Sequence, residues 1–162
     1  MRAIQNIAPF FDDFVLQPNE VNRDLIVLKW RKKGCEDVFT ASQLSDGTIR
    51  FICLATLLLQ PEELQPATII IDEPELGLHP YAITIFAELV KAVSQKKQLI
   101  MSTQSVELLN QFDAEDVIVV DSGENGTEFR RLDMKDLQIW LDEDYSLGDL
   151  WNKNLLGGRV SR

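Results

Sequence analysis

Apolar and polar positions along the 162-residue chain fall into short apolar runs separated by longer amphipathic stretches. "DLIVLKW" (Asp24–Trp30) and "EDVFTA" (Glu36–Ala41) predict two strands around a Lys33-Gly34 turn. Thr48–Leu59 is almost continuously apolar. Twelve residues is long for a strand, so this run predicts a buried helix, ended by Pro61. "ATIIID" (Ala67–Asp72) is β-branched without alternation and predicts a strand buried on both faces. A helix then runs from Pro80 to about Lys97. Phe86, Leu89, Val90 and Val93 follow the i, i+3, i+4, i+7 spacing of a single buried face, and Lys96 and Lys97 suit its C-terminal dipole. Two more buried strands follow, Gln98–Thr103 and Asp116–Asp121, with a short helix, "SVELLNQF", between them. Thr127–Asp133 predicts an edge strand after a Gly-containing turn. From about Met134 the chain reads as helical, with Leu137, Trp140 and Leu141 on one face and Leu147, Leu150 and Trp151 on another. Buried strands alternating with helices predict an α/β fold: one domain over residues 1–162, with a mostly parallel sheet flanked by helices.

Composition fits a packed soluble domain, with 45% apolar residues. The net charge of −10 argues against a broad electrostatic footprint for nucleic acid. The acid is concentrated after residue 66, where 17 Asp/Glu face 9 Lys/Arg, against 9 facing 7 before it. "KWRKK" (Lys29–Lys33) is the basic exception and reads as an exposed hairpin end. Two cysteines exclude a disulfide framework or a zinc cluster. Cys53, inside the apolar helical run, reads as a small core residue. "FICLATLLL" is too short to cross a bilayer, so a cytoplasmic protein without a membrane segment is expected.

Chemistry enters with three short segments. The apolar strand ending in Asp72-Glu73 places two carboxylates at a strand tip. Asp72 could hold magnesium, and Glu73 could orient and deprotonate a water. Equally, the pair could only end a strand at a solvated edge. In "LSDGT" (Leu44–Thr48), Gly47 permits close backbone approach to a ligand, Ser45 adds a hydroxyl, and the following helix N-terminus suits a phosphate. The plain alternative is an ordinary helix cap. In "LIMSTQS", Gln104 stands at a strand tip, where it could position a water or only cap the next helix.

In this order, "LSDGT", "IIIDEPELGLHP" and "LIMSTQS" resemble the C-terminal half of an ABC-class ATPase. The resemblance points to the RecF- and SMC-like branch and its bacterial AAA-family "predicted ATPase" group. The tail "YSLGDLWNKNLLGG" (Tyr145–Gly158) is also similar to that group. The resemblance implies that Leu44–Thr48 is the signature motif, with Ser45, Asp46 and Gly47 contacting nucleotide held by another subunit. It implies that Asp72 (metal) and Glu73 (catalytic) form Walker B. It assigns Glu75–His79, including Gly77 and His79, to the D-loop, and Gln104 to the catalytic switch position usually held by histidine. Gln104 can hydrogen-bond a phosphate but cannot become cationic near neutral pH. The implied ligands are ATP and Mg2+.

No glycine in the sequence is followed by Lys, so the phosphate-binding pattern G-x-x-x-x-G-K-[ST] is absent. The expected state is therefore half a site: the C-terminal lobe of a P-loop NTPase fold without its phosphate-loop strand. Its partners would be an N-terminal Walker A lobe or a second ATPase subunit, with a homodimer and nucleic acid as further partner classes. Alone it is expected to be inactive or very weak. Two rivals stand beside this: a non-catalytic interaction module that keeps the fold, and a metal-dependent nuclease using Asp72, Glu73 and Glu75. In the ATPases it resembles, the missing strand lies between those corresponding to Gln98–Thr103 and Asp116–Asp121. Those two strands are thus expected to carry unpartnered edges, and "IAPFFDDFVL" (Ile7–Leu16) is a candidate to cover them.

Overall fold

The computed structural model describes residues 1–123, 126–133, 135, 137, 140, 143 and 145–158. The chain divides into two compact units, residues 1–101 and 102–162.

The first unit opens with α1 (Arg2–Ile7), followed by β1 (Phe11–Val15), β2 (Lys29–Lys32) and β3 (Val38–Thr40). These strands form one antiparallel sheet in the order β1-β2-β3. Trp30 organises it. Its ring stacks on Phe11 at 5.6 Å and on Phe39 at 5.0 Å, and its indole N–H donates to the Thr40 carbonyl at 3.1 Å. Ile4, Ala8, Phe11, Trp30, Leu44 and Ile52 close this core. The segment Ile7–Leu16 therefore supplies a third strand to this sheet, pairing Phe14 with Trp30. It does not cover a strand edge elsewhere.

The strand expected from Asp24 begins only at Lys29. Before it, the Asn19 side chain accepts from the Val21 and Asn22 amides, and Asn22 accepts from Asp24. These local turns draw backbone donors away from a ladder, which leaves only an isolated Pro18–Ile26 bridge. "KWRKK" is strand β2 running into the Gly34 turn, with Trp30 buried and the basic side chains exposed.

Helix α2 (Asp46–Leu59) and helix α3 (Pro80–Ser94) pack on each other. α2 buries Phe51, Ile52, Leu54, Ala55 and Leu58; α3 buries Ala82, Ile83, Phe86, Ala87 and Val90. Cys53 lies on the outer face of α2 and is exposed, contrary to its reading as a core residue. Residues 51–59 are apolar nearly throughout, so composition alone does not reveal which of them face inward. β4 (Thr68–Asp72) and β5 (Gln98–Ser102) pair across the α3 crossover, β5 ending at the first residue of the second unit.

The second unit contains α4 (Val106–Leu109), the antiparallel hairpin β6 (Ile118–Gly123) and β7 (Gly126–Arg131), and α5 (Leu147–Asn152). Ala114, Val119, Leu132, Leu137, Leu147, Leu150 and Leu156 form its core. In the predicted tail helix, Met134 and Leu141 lie outside the described residues. Leu137 is buried, while Trp140 is exposed and meets Tyr145 edge-on at 5.8 Å.

The fold is α/β, but its sheets mix parallel and antiparallel pairing and are not mostly parallel. The strands predicted to be buried on both faces are covered on one only. In β4, Ile69 is buried while Ile70 is 74% exposed. β5 leaves Ile100 exposed, and β6 leaves Ile118 and Val120 exposed around buried Val119. β5 and β6 belong to separate two-stranded sheets, and neither flanks a third strand among the described residues.

Candidate functional site

Leu44 is buried and anchors the turn that opens α2. Ser45 is the N-cap: its Oγ accepts from the Thr48 amide at 3.2 Å and lies 2.8 Å from the Thr48 hydroxyl. The capping reading is thus realised, since Ser45 satisfies one of the orphan donors of its own helix. Ser45 and Asp46 are exposed, and Asp46 occupies the first turn, where a carboxylate suits the helix dipole.

Gly47 shows why this turn tolerates no side chain. A Cβ there would collide with the Gly77 carbonyl oxygen and come within 3.2 Å of the Gly77 carbonyl carbon. One turn further on, the Arg50 guanidinium donates to the Leu76 carbonyl at 2.9 Å. The start of α2 therefore rests directly on the loop that follows β4, and segments thirty residues apart form one surface. Nothing singled out Arg50 in the sequence. The available signal was a lone cation early in an otherwise apolar helix.

That loop is tightly wound. Asp72 ends β4 and is exposed. Glu73 follows with φ 43°, in the left-handed region. For a residue with a side chain this costs about 1–2 kcal/mol and is held only by its surroundings. Pro74 is fully buried behind it. The Leu76 amide donates to the Glu73 carbonyl at 3.3 Å, the Leu78 amide donates to that of Glu75 at 2.9 Å, and Gly77 supplies a second positive φ of 74°. The chain thus reverses immediately after the two carboxylates. His79 then caps α3: its Nδ1 accepts from the Tyr81 amide at 3.2 Å, and Pro80 follows at the first helical position, where its missing N–H costs nothing.

Gln104 lies in the second unit, exposed between β5 and α4. It does not cap α4. Ser105 does, its Oγ accepting from the Leu108 amide at 3.2 Å, while the Ser105 amide donates to Thr103 Oγ1 at 2.9 Å. Ser45, Asp46, Gly47, Asp72, Glu73, Gly77 and His79 all belong to the first unit.

Among the described residues no three His, Cys, Asp or Glu side chains come together as a metal-binding group. Asp72, Glu73 and Glu75 do not form such a group. Mg2+ bound through one carboxylate and the oxygens of a phosphate substrate places no such demand, and the exposed Asp72 carboxylate fits it. Among the described residues no helix is long and apolar enough to cross a membrane.

No curated protein sequence matches the chain. The structure is similar to a chain solved in work titled "Structural biochemistry of ATP-driven dimerization and DNA stimulated activation of SMC ATPases". The match has a TM-score of 0.64 at 17% identity, over 88% of this chain and 86% of that one. It is similar to an Smc head domain with an extended coiled coil, bound to the C-terminal domain of ScpA, from Pyrococcus furiosus (TM-score 0.63, 18% identity, 88% of this chain). It is also similar to the SMC head domain from Thermotoga maritima (TM-score 0.55, 21% identity, 82% of this chain). It spans 36% and 45% of the last two chains. Residues 3–110, about two thirds of the sequence, match the family described as "AAA domain, putative AbiEii toxin, Type IV TA system". The chain has the fold of an SMC head and belongs to that AAA-domain family.

Proposed function

We propose that this chain is the C-terminal lobe of an ABC/SMC-like ATPase, contributing a signature surface and a Walker B strand to a nucleotide site completed by a Walker A-bearing lobe. The observation that carries this is the seating of Gly47 on Gly77. It supports reading Leu44–Thr48 and Glu75–His79 as one composite surface, which is what a segment reaching toward a partner's nucleotide requires. In this reading Ser45, Asp46 and Gly47 face the phosphates held by the other subunit. Asp72 holds Mg2+, which neutralises charge developing on the transferring phosphoryl group. Glu73, in its left-handed turn, accepts the proton of the attacking water. Gln104, in the second unit, takes the switch role as a hydrogen-bonding side chain without a cationic form.

Two further observations support incompleteness. Apolar side chains on β4, β5 and β6 stand in solvent where a lobe would cover them, and among the described residues β5 and β6 each have one strand neighbour. One SMC ATPase chain of similar length shares the fold. The ATP-driven dimerisation named for that ATPase is carried here as the proposed output, a closed dimer of completed heads.

Calorimetry with Mg-ATP tests the reading. The chain alone should bind weakly, because it lacks the Lys and the ring of backbone amides that hold the β- and γ-phosphates. Fusion behind a Walker A-bearing lobe should restore tight binding. Tight one-to-one binding by the chain alone would overturn the half-site reading.

A further inference from the structure

The tail segment around Ser146–Asp149 has no role in the nucleotide site, yet it is held by its own hydrogen bonds. The Asp149 carboxylate accepts from the Ser146 amide at 3.0 Å and from its hydroxyl at 2.6 Å, and the Ser146 Oγ accepts from the Asp149 amide, closing a capping box. Lys153 lies 3.8 Å above the Tyr145 ring. The helix so built is pressed onto α4. The Gly148 amide donates to Asn110 Oδ1 at 2.7 Å. A Cβ on Gly148 would collide with the Val106 side chain and lie 2.8 Å from both Asn110 side-chain polar atoms.

α4 is a single turn of four residues, too short to hold its own shape. What fixes it is the Ser105 cap at one end, buried Leu108 in the middle and the Asn110–Gly148 bond at the other. Gln104 is the residue immediately before that cap. We propose that Asn110 is a positioning residue. Through it, the tail helix α5 sets α4 and hence the placement of Gln104. This rests on the reading of Gln104 as the switch residue.

Amide exchange on the intact chain tests the coupling without nucleotide. Asn110→Leu removes the acceptor, and Asn110→Asp keeps it. Leu should strip protection from Leu108 and Leu109 while the β6–β7 amides keep theirs, and Asp should restore it. Unchanged protection, or a parallel loss throughout the unit, would overturn the proposal, since a merely structural role lowers all amides together. In the completed ATPase, Asn110→Leu should slow turnover by up to roughly 10²-fold through misplacement of Gln104, and no further once Gln104→Ala is present. Equal slowing in both backgrounds would overturn the positioning role and leave the nucleotide reading standing. Full turnover in Gln104→Ala alone would overturn the switch role of Gln104, and the functional half of the proposal with it.

Discussion

Gly47→Ala sets two known effects against each other at one atom. Alanine is the better helix former, and in a helix interior the exchange gains about 0.8–1.0 kcal/mol. Gly47 is the second residue of α2, where fewer helical bonds depend on it, so the gain is smaller. Against this, the new methyl meets the Gly77 carbonyl, a backbone group that cannot rotate aside as the end of a long side chain would. Overpacking of this kind costs about 1–3 kcal/mol. The collision wins, and a net loss of about 1–2 kcal/mol is expected. For a chain of this size that lowers Tm by about 2–4 °C per kcal/mol. Because Arg50 also ties α2 to Leu76, the loop rather than the helix should give way. Thermal unfolding followed by circular dichroism gives the Tm. Amide exchange at Leu76 and Leu78, whose bonds hold the loop, locates the damage. A variant as stable as the parent or more so, with both amides still protected, would refute the contact and remove the support for one composite surface.

In the completed ATPase, Glu73→Gln should keep nucleotide bound and slow single-cycle hydrolysis by about 10²–10⁴-fold, since the amide cannot take the proton; unchanged turnover would exclude Glu73 as the base. Ser45→Arg and Ser45→Ala should both lose the cap of α2, about 0.5–2 kcal/mol by denaturant titration, but only the arginine should block ATP-dependent dimerisation in light scattering; normal closure by the arginine variant would reduce "LSDGT" to a helix cap. The Asp149 carboxyl is held below its ordinary range, first by the Ser146 hydroxyl and then by the Ser146 backbone amide. A depressed folded value means that its contribution is complete above the ordinary carboxylate range and is lost as pH falls through the depressed value. Protection of the α5 amides should therefore fade in that acid window in the parent and be independent of pH there in Asp149→Asn.

The sequence alone determined the elements whose signals are local. Thr48–Leu59 and Pro80–Ser94 are helices because long apolar periodicity, Pro80 at the first turn and Pro61 beyond the end all act within a few residues of one another. Ser45 caps because a hydroxyl reaches an amide three residues on. The order of the three motifs also carried the family, which the match over residues 3–110 bears out. Tertiary structure decided what depends on distant partners. Which faces of β4, β5 and β6 are covered is one such matter, because an apolar run records what a strand can bury and not what is present to bury it. The exposure of Cys53 is another, since its neighbours on α2 are equally apolar and only α3 and the sheet core select among them. The pairing of Phe11–Val15 with β2 depends on Trp30, fifteen residues further along the chain. The seating of Gly47 on Gly77 was beyond local reading for the same reason: a glycine shows that a side chain is unwelcome, and only the folded chain shows which atom excludes it.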